Sequence, residues 1–217
     1  FFKNNYSYGT FYYFYQILNR QSNSSKYIKL ESNFIKSILK KISLNLAQEK
    51  ENYFDNLVIF PLTTFSETLR CSLGQEINLY IDYINKHIID KKTLLIIKPH
   101  PTSLEKKAKL LISKLESHDF NVANSKLEEA ITHLPLNVLP LELLCLILVK
   151  RFRIKYQNIS LAINSNASLS TYYLYPEINF IRPFGEKLIN KYIKKEYVTQ
   201  RLLQEEILSD AIFENNQ

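Results

Sequence analysis

The chain has 217 residues, of which 46% are hydrophobic and 23% charged, and its formal net charge is +7. This composition is that of a globular protein, so it predicts a buried core and excludes a largely disordered chain. The positive charge favours an anionic partner such as a phosphate-bearing ligand. Nucleic acid is not expected, because the sequence has neither a block of basic residues nor a nucleic-acid-binding motif.

The cysteines and the apolar runs of the sequence indicate in which cellular compartment the protein is expected. Cys71 and Cys145 lie far apart without metal-ligand spacing, which predicts a reducing, cytoplasmic setting with no zinc site and no disulfide framework. The first residues do not form a secretory signal. The longest apolar run, 134–149, contains Pro140 and Glu142 and is shorter than the roughly 20 residues of a membrane span, so it predicts buried core. Because the sequence contains no methionine, we expect a piece of a longer protein.

The predicted elements, in chain order, begin with residues 1–50, which are rich in Tyr, Phe and Asn and predict helices without a clear strand. From residue 57 onward, short apolar runs alternate with helical patterns. The runs that predict buried strands are LVIF (57–60), LLII (94–97), either FNVA (120–123) or ITHL (131–134), ISLAI (159–163) and INFI (178–181). The predicted helices begin at the capping boxes Ser72/Gln75 and Thr102/Glu105, after Pro140, within SLSTYYLY (168–175), and at Glu186, from which one amphipathic helix reaches Leu208.

This alternation predicts an α/β fold, a Rossmann-like parallel sheet with helices on both faces. We expect residues 51–185 to form that domain, 1–50 to be the remainder of a preceding domain or a linker from it, and 186–217 to form a C-terminal helix. In such sheets the ligand lies outside the carboxyl ends of the strands, here residues 61–66, 98–103 and 164–168. No glycine motif for a dinucleotide or an ATP-type phosphate is present.

The tetrapeptide KPHP follows the second predicted strand. Lys98 and His100 each precede a proline, which favours an extended backbone and predicts a stiff arm that carries His100. The helix predicted to begin at Thr102 would offer its N–H groups and positive dipole end to an anion. An imidazole and an ammonium there are suited to binding a phosphate and protonating it as it leaves. A histidine in a proline-stiffened turn is the structural alternative.

Two further features lie near the same edge. Glu142 begins an otherwise apolar helix, where it is either a solvated first-turn carboxylate or an acceptor for a ribose diol. Ser165 and Ser168 follow a predicted strand, where they form either a second anion cradle or a serine-rich N-cap.

In this order, KPHP, the helix start Leu139-Pro140-Leu141-Glu142 and the closely spaced serines resemble the nucleotide-binding half of bacterial sialyltransferases. The resemblance is to the lipooligosaccharide sialyltransferase and polysialyltransferase group and covers roughly residues 57–185. It implies a GT-B fold, of which this chain would be the C-terminal half, and transfer of sialic acid from CMP-sialic acid to a cell-surface glycan such as lipooligosaccharide or capsule polysaccharide.

The same resemblance implies roles for individual residues. His100 and Pro101 match the histidine–proline motif that contacts the phosphate and cytosine of CMP. Glu142 matches the residue that binds the ribose hydroxyls, and either Ser165 or Ser168 matches the serine motif on the phosphate.

The implied reaction is an inverting, metal-independent transfer. His100 would be catalytic and, with Lys98, would stabilise the departing CMP, while a carboxylate deprotonates the acceptor hydroxyl. No cofactor or metal is expected besides the CMP-sugar donor. The family's acidic motif that carries the base, two acidic residues and a glycine, is not found, since Glu128-Glu129-Ala130 lacks the glycine. We expect the base to precede residue 1.

Other interpretations remain open. Polymerases of the teichoic-acid type, which use CDP-glycerol, also combine a GT-B fold with a histidine–proline turn, although no Asp adjoins the serines here. Other GT-B nucleotide-sugar enzymes, or a non-catalytic nucleotide-binding module, are further alternatives. The basic residues of the C-terminal helix predict either a solvated face or peripheral association with the inner membrane; they are Lys187, Lys191, Lys194 and Lys195.

Overall fold

A computed structural model describes residues 56–88, 90–91, 93–130 and 136–214. The helices predicted within 1–50 and the alternative strand at 131–134 lie outside this part of the chain. The described residues contain one five-stranded sheet in the order β3-β2-β1-β4-β5, with every neighbouring pair parallel. Its strands are β1 (Leu57–Pro61), β2 (Leu94–Lys98), β3 (Asn121–Val122), β4 (Ile159–Ala162) and β5 (Asn179–Ile181). The predicted α/β class with a parallel sheet is confirmed.

Helices connect the strands. They are α1 (Leu73–His87), α2 (Glu105–Glu116), α3 (Asn124–Ala130), α4 (Leu141–Arg151), α5 (Asn166–Leu174), α6 (Glu186–Tyr192) and α7 (Lys195–Ser209). A 3-10 turn at Tyr156–Asn158 precedes β4, and a π-helical turn at Asp210–Glu214 follows α7. None of the helices in the described ranges is long and apolar enough to cross a membrane.

Both faces of the sheet are apolar, and helices pack against each of them. Leu57 and Ile59 pack into a core with α4 and the C-terminal end of α5. Val58 and Phe60, which alternate with them along β1, pack into a second core with α1, α2 and α6. Side chains alternate between the faces of a strand, so a strand buried on both faces reads as a continuous apolar run. This is why LVIF and LLII could be recognised in the sequence.

The two predicted capping boxes have different outcomes. The one at Ser72 is confirmed: the Ser72 hydroxyl accepts from the N–H of Gln75, and the Gln75 side chain accepts from the N–H of Ser72. The one at Thr102 is wrong, because α2 begins at Glu105 after Leu104, whose side chain cannot cap it. Both polar groups of Thr102 are instead bonded to His100, as described below.

The single C-terminal helix predicted from Glu186 to Leu208 is also wrong. The chain leaves the helical conformation at Ile193 and Lys194, which separate α6 from α7. Ile193 is buried in the second core, and the N–H of Lys194 donates to the carbonyl oxygen of Arg70 at 2.9 Å. The break redirects the chain, so that α7 begins against the second core and ends at Leu208 in a third apolar cluster with Ile163.

Candidate functional site

The strand order defines a topological switch point between β1 and β4. From β1 the chain proceeds to β2 and β3 on one side, and then returns to β4 and β5 on the other. Because the loops after β1 and β4 leave in opposite directions, a crevice opens outside their carboxyl ends, and ligands of open parallel sheets bind there. The last residue of β2 and the segments that follow β1, β2 and β4 contain the candidate residues except Glu142, which lies in the first turn of α4.

Asn164 joins the two strands at the switch point. Its side chain is fully buried, and its amide nitrogen donates to the carbonyl oxygen of Pro61, the last residue of β1, at 3.2 Å. This contact sets the orientation of the amide, since a carbonyl oxygen can only accept. The other amide atom, Oδ1, is buried and accepts no hydrogen bond from the described residues. The buried Asn164 side chain thus retains an acceptor that no described residue uses, two residues after the end of β4.

Glu76 holds the loop that follows β1. It lies on α1, is fully buried, and accepts hydrogen bonds from the N–H groups of Phe65 at 3.2 Å and Ser66 at 2.8 Å. The hydroxyl groups of Thr63 and Tyr80 also donate to its Oε1. A buried carboxylate of this kind remains stable only with such a set of donors, so the loop and Glu76 depend on each other.

Lys107 completes this network from α2. Its buried ammonium donates to the carbonyl oxygen of Thr63 and to Glu67 Oε2, both at 2.7 Å, and to Glu76 Oε1 at 3.0 Å. The ammonium therefore has acceptors within the protein for its three protons. Lys107 contributes positive charge beneath the loops after β1 and β2 but is committed to contacts within the protein.

His100 lies in the loop after β2. The carbonyl oxygen of His100 accepts from the N–H of Ser103 at 2.9 Å, so the chain is extended only as far as His100 and then makes a turn that Pro101 begins. The expected rigid arm is therefore shorter than KPHP. Pro101 is exposed at the edge of the sheet.

The hydrogen bonds of His100 determine its tautomer. Nδ1 accepts from the backbone N–H of Thr102 at 3.2 Å and lies 2.9 Å from its hydroxyl oxygen. Since a backbone N–H can only donate, the neutral ring carries its proton on Nε2. Burial, and then the positive charges of Lys98 and Lys107, lower the pKa of His100, so the ring is neutral at pH 7. Nε2–H makes no hydrogen bond to the described residues and is therefore free to donate.

The N-terminus of α2 differs from the phosphate site predicted there. Glu67, from the loop after β1, accepts from the N–H of Leu104 at 3.1 Å through Oε1 and also binds Lys107 through Oε2. Hydrogen bonds to Lys107 and to backbone N–H groups lower the pKa of Glu67 in spite of burial, so it is ionised at neutral pH. A carboxylate of the protein already occupies this helix end, which makes it a poor site for a phosphate.

The charges of Lys98 and Glu142 influence each other near the same edge. Lys98 is buried, its ammonium donates to the carbonyl oxygen of Pro99 at 2.8 Å, and burial lowers its pKa to about 8 while the charge of Glu142 opposes this change. Glu142 is half-buried, and its carboxyl group accepts from the hydroxyl of Ser170. Burial raises the pKa of Glu142, and the hydrogen bond from Ser170 and the charge of Lys98 oppose that rise.

The two candidate serines have different environments. Ser168 is fully buried, and its hydroxyl donates to the carbonyl oxygen of Ala162 at 3.1 Å, so it is bound to the end of β4. Ser165 is the N-cap of α5, is partly exposed, and its hydroxyl makes no capping hydrogen bond. The N–H groups of Asn166 and Ala167 in the first turn bond to no described residue. Ser165 is therefore the serine available to a phosphate.

Arg201 is a residue of this site that the sequence reasoning missed. It lies on α7, is 2% exposed, and its Nη2 donates to the carbonyl oxygen of Asn164 at 3.3 Å. Its Nε donates to Glu205 Oε1 at 2.9 Å, and the carboxylate of Glu205 also accepts from the N–H of Gly185. The only sequence signal was an Arg and a Glu four residues apart, a spacing that is common on exposed helices.

A hollow of about 160 Å³ lies between α5 and α7 and shares Asn166 with the helix end. Its remaining lining is mostly apolar and includes Leu169, Leu203 and Leu208. Pockets for small molecules usually measure about 300–1,000 Å³, so this hollow is too small to enclose a nucleotide. The candidate site is the open crevice at the edge of the sheet.

Within the described residues, no three His, Cys, Asp or Glu side chains cluster in a way that could hold a metal ion. Comparison of the chain with models of known protein families, with curated proteins and with solved structures gave no match. The structure shows a Rossmann-like α/β sheet whose carboxyl edge carries the Nε2–H of His100, a helix N-terminus whose first N–H groups bond to no described residue, and the buried side chain of Lys98.

Proposed function

We propose that this chain is the donor-binding part of a glycosyltransferase that transfers sialic acid from CMP-sialic acid to a cell-surface glycan. The observation that carries the proposal is the position of His100 and Ser165. They follow β2 and β4, the two strands that pair with β1, and both lie at the carboxyl edge beside the switch point. A phosphate at the N-terminus of α5 would accept hydrogen bonds from the helix N–H groups on one side and from the Nε2–H of His100 on the other.

The ribose and base of the nucleotide would extend from this phosphate towards α4. The carboxyl group of Glu142 is a hydrogen-bond acceptor near Lys98 and is suited to a ribose diol. Because burial raises its pKa, ligand hydroxyl groups and the nearby ammonium would together favour its ionised form. This matches the role that the resemblance to sialyltransferases gives to Glu142.

In the proposed reaction, a carboxylate from outside the described residues removes the proton of an acceptor hydroxyl group. The hydroxyl oxygen attacks the anomeric carbon of the sialic acid, and the bond from that carbon to the phosphate oxygen of CMP breaks. Negative charge develops on the phosphate as CMP leaves. The Nε2–H of His100 donates to that oxygen, and the N–H groups of α5 and the Lys98 ammonium stabilise the charge. This arrangement supplies positive potential from protein groups alone.

His100→Gln tests the proposal in the full-length protein, with CMP release from CMP-sialic acid measured in the presence of a glycan acceptor. We expect kcat to fall by roughly 10²-fold, because a flexible glutamine side chain loses the Nε2–H donor that the ring holds in a fixed position for the departing phosphate oxygen. His118→Gln is the matched control: His118 is exposed at the C-terminal end of α2, and its substitution should leave kcat unchanged.

The outcomes separate the candidate functions. Unchanged turnover in His100→Gln would remove His100 from the mechanism. Consumption of CDP-glycerol in place of CMP-sialic acid would replace the proposal with a glycerophosphotransferase. Binding of CMP without any turnover, in the full-length protein with acceptor present, would leave a nucleotide-binding module.

A further inference from the structure

The C-terminal helix α7 crosses the carboxyl edge of the sheet, and Arg201 lies at the crossing. Its guanidinium contacts two aromatic rings, with 5.0 Å to the ring centroid of Phe65 and 5.5 Å to that of Phe184. Phe65 belongs to the loop after β1, and Phe184 belongs to the loop after β5. With the hydrogen bond to the carbonyl oxygen of Asn164 after β4, one side chain contacts three loops around the switch point.

Arg201 and Gln204 together hold the residues on both sides of Ser165. Arg201 donates to the carbonyl oxygen of Asn164 at 3.3 Å, and the amide of Gln204 donates to Asn166 Oδ1 at 3.2 Å. Gln204 also accepts from Arg201 Nη1 at 3.1 Å, so the two side chains act as one unit. The N-cap residue of α5 is thereby fixed through its neighbours, while its own hydroxyl makes no capping hydrogen bond.

Glu205 keeps the guanidinium in place. It is 4% exposed, and its Oε2 accepts from the N–H of Gly185 at 2.8 Å, where the backbone has a φ of +81° that favours glycine. A buried ion pair often adds little stability compared with apolar residues of the same volume. We therefore assign Arg201 and Glu205 a role in positioning the loops rather than in stability. A planar guanidinium makes directed contacts in a fixed plane, and these contacts can hold the loops in one arrangement.

We propose that Arg201 is a positioning residue, which sets the helix N-terminus of α5 for the nucleotide phosphate without contacting the nucleotide itself. This inference rests on the proposed function for the identity of the ligand. It adds that α7 contributes to the nucleotide site. The resemblance to sialyltransferases assigns no residue of α7 to that site.

Arg201→Lys tests this role because lysine keeps the positive charge but cannot make the directed contacts of a guanidinium. We expect the Kd for CMP, measured by calorimetry, to rise roughly tenfold, because the N-terminus of α5 would no longer be held in position for the phosphate before CMP binds. Amide hydrogen exchange, measured without ligand, should accelerate at Asn164 and Ser168, whose N–H groups donate to the carbonyl oxygens of Ala162 and Ser165, and stay unchanged in β2. Glu206→Gln, on the exposed side of α7, is the matched control and should change neither quantity.

Each outcome bears on the proposal. An Arg201→Lys variant with wild-type Kd and wild-type exchange at Asn164 and Ser168 would overturn it. Uniform acceleration that includes β2 would also overturn it, because it would indicate a general loss of stability. If Arg201→Lys does not fold, Glu205→Gln is the second variant. It removes the negative charge that holds the guanidinium while keeping the shape of the side chain, and it should raise the Kd for CMP roughly threefold. If the wild-type chain does not bind CMP, the proposed function fails, whereas the exchange measurement still decides the positioning role.

Discussion

Lys98 and Glu142 are ionisable groups removed from water, and each alters the protonation of the other. Burial lowers the pKa of Lys98 and raises that of Glu142, so both changes favour the neutral forms. Such a pair is expensive to keep in a folded protein, and its retention at the carboxyl edge is consistent with use by a ligand. An approaching phosphate would favour the charged form of Lys98.

The pKa of Lys98 predicts a pH dependence of stability. Its ordinary value of 10.5 falls to about 8 in the folded chain, so between these values the unfolded chain binds the proton more tightly. Unfolding then takes up a proton, and the contribution of Lys98 to stability rises with pH. Relative to Lys98→Met, the wild-type free energy of unfolding should gain about 2 kcal/mol from pH 8 to pH 10 in urea titrations. A difference that stays constant over this range would contradict the account.

His100 shows why residue-level geometry could be predicted only in part. The prolines correctly placed His100 at the end of a buried strand, because their effect on the backbone is local. The capping box at Thr102 failed because the N–H and the hydroxyl of Thr102 are both bonded to His100 Nδ1. Glu67, which bonds the N–H of Leu104, is distant in sequence, and local patterns contain no information about such a partner.

At the scale of elements, the two helices at the crevice have differently occupied N-termini. The first turn of α2 receives the carboxylate of Glu67, whereas the first N–H groups of α5 bond to none of the described residues. The dipoles of both helices favour an anion, so what distinguishes them is whether the protein has supplied one. We therefore expect the proposed phosphate at the N-terminus of α5, with His100 on the side of α2.

The serines of α5 provide a test with an internal control. Ser165→Ala should weaken CMP binding several-fold, because a phosphate oxygen loses a hydroxyl donor, while the free energy of unfolding changes little. Ser168→Ala should lower the free energy of unfolding by about 1 kcal/mol, because it removes the buried hydrogen bond to Ala162, and should leave CMP binding unchanged.

Calorimetry with CMP and urea unfolding of both variants measure the two quantities. The reverse pattern, with binding lost in Ser168→Ala and retained in Ser165→Ala, would show that the wrong serine has been assigned. The sequence alone left both serines open, since the direction of each side chain depends on where α5 begins relative to β4.

Strand positions were accessible from the sequence because burial on both faces leaves a continuous apolar run. The break between α6 and α7 could not be predicted from the sequence, because Ile193 and Lys194 are both compatible with a helix. The helix ends there because of their tertiary contacts. A continuous helix would have carried Arg201 in another direction. The helix pattern therefore predicted that this segment is helical, but it did not predict the change of direction between α6 and α7.

For the whole molecule, the strand order is what brings separate segments to one site. Loops that are far apart in sequence, such as 62–66 and 163–165, become neighbours because β4 pairs with β1. The segment predicted as a separate C-terminal helix also belongs here, since Leu188 and Ile189 pack in the core of the sheet. Parallel order between distant strands depends on tertiary packing, and the sequence pattern predicted the class of sheet without its order.

The central claim is that the carboxyl edge at the switch point binds the phosphate of CMP. Titration of the isotope-labelled chain with CMP, followed by amide chemical shifts, tests this claim most directly. We expect the largest changes at the amides of Ser165, Asn166 and Ala167, with a change in the ring resonances of His100. Changes confined to the opposite edge of the sheet, around Gln157 and Asn158, or no saturable change at all, would contradict the account.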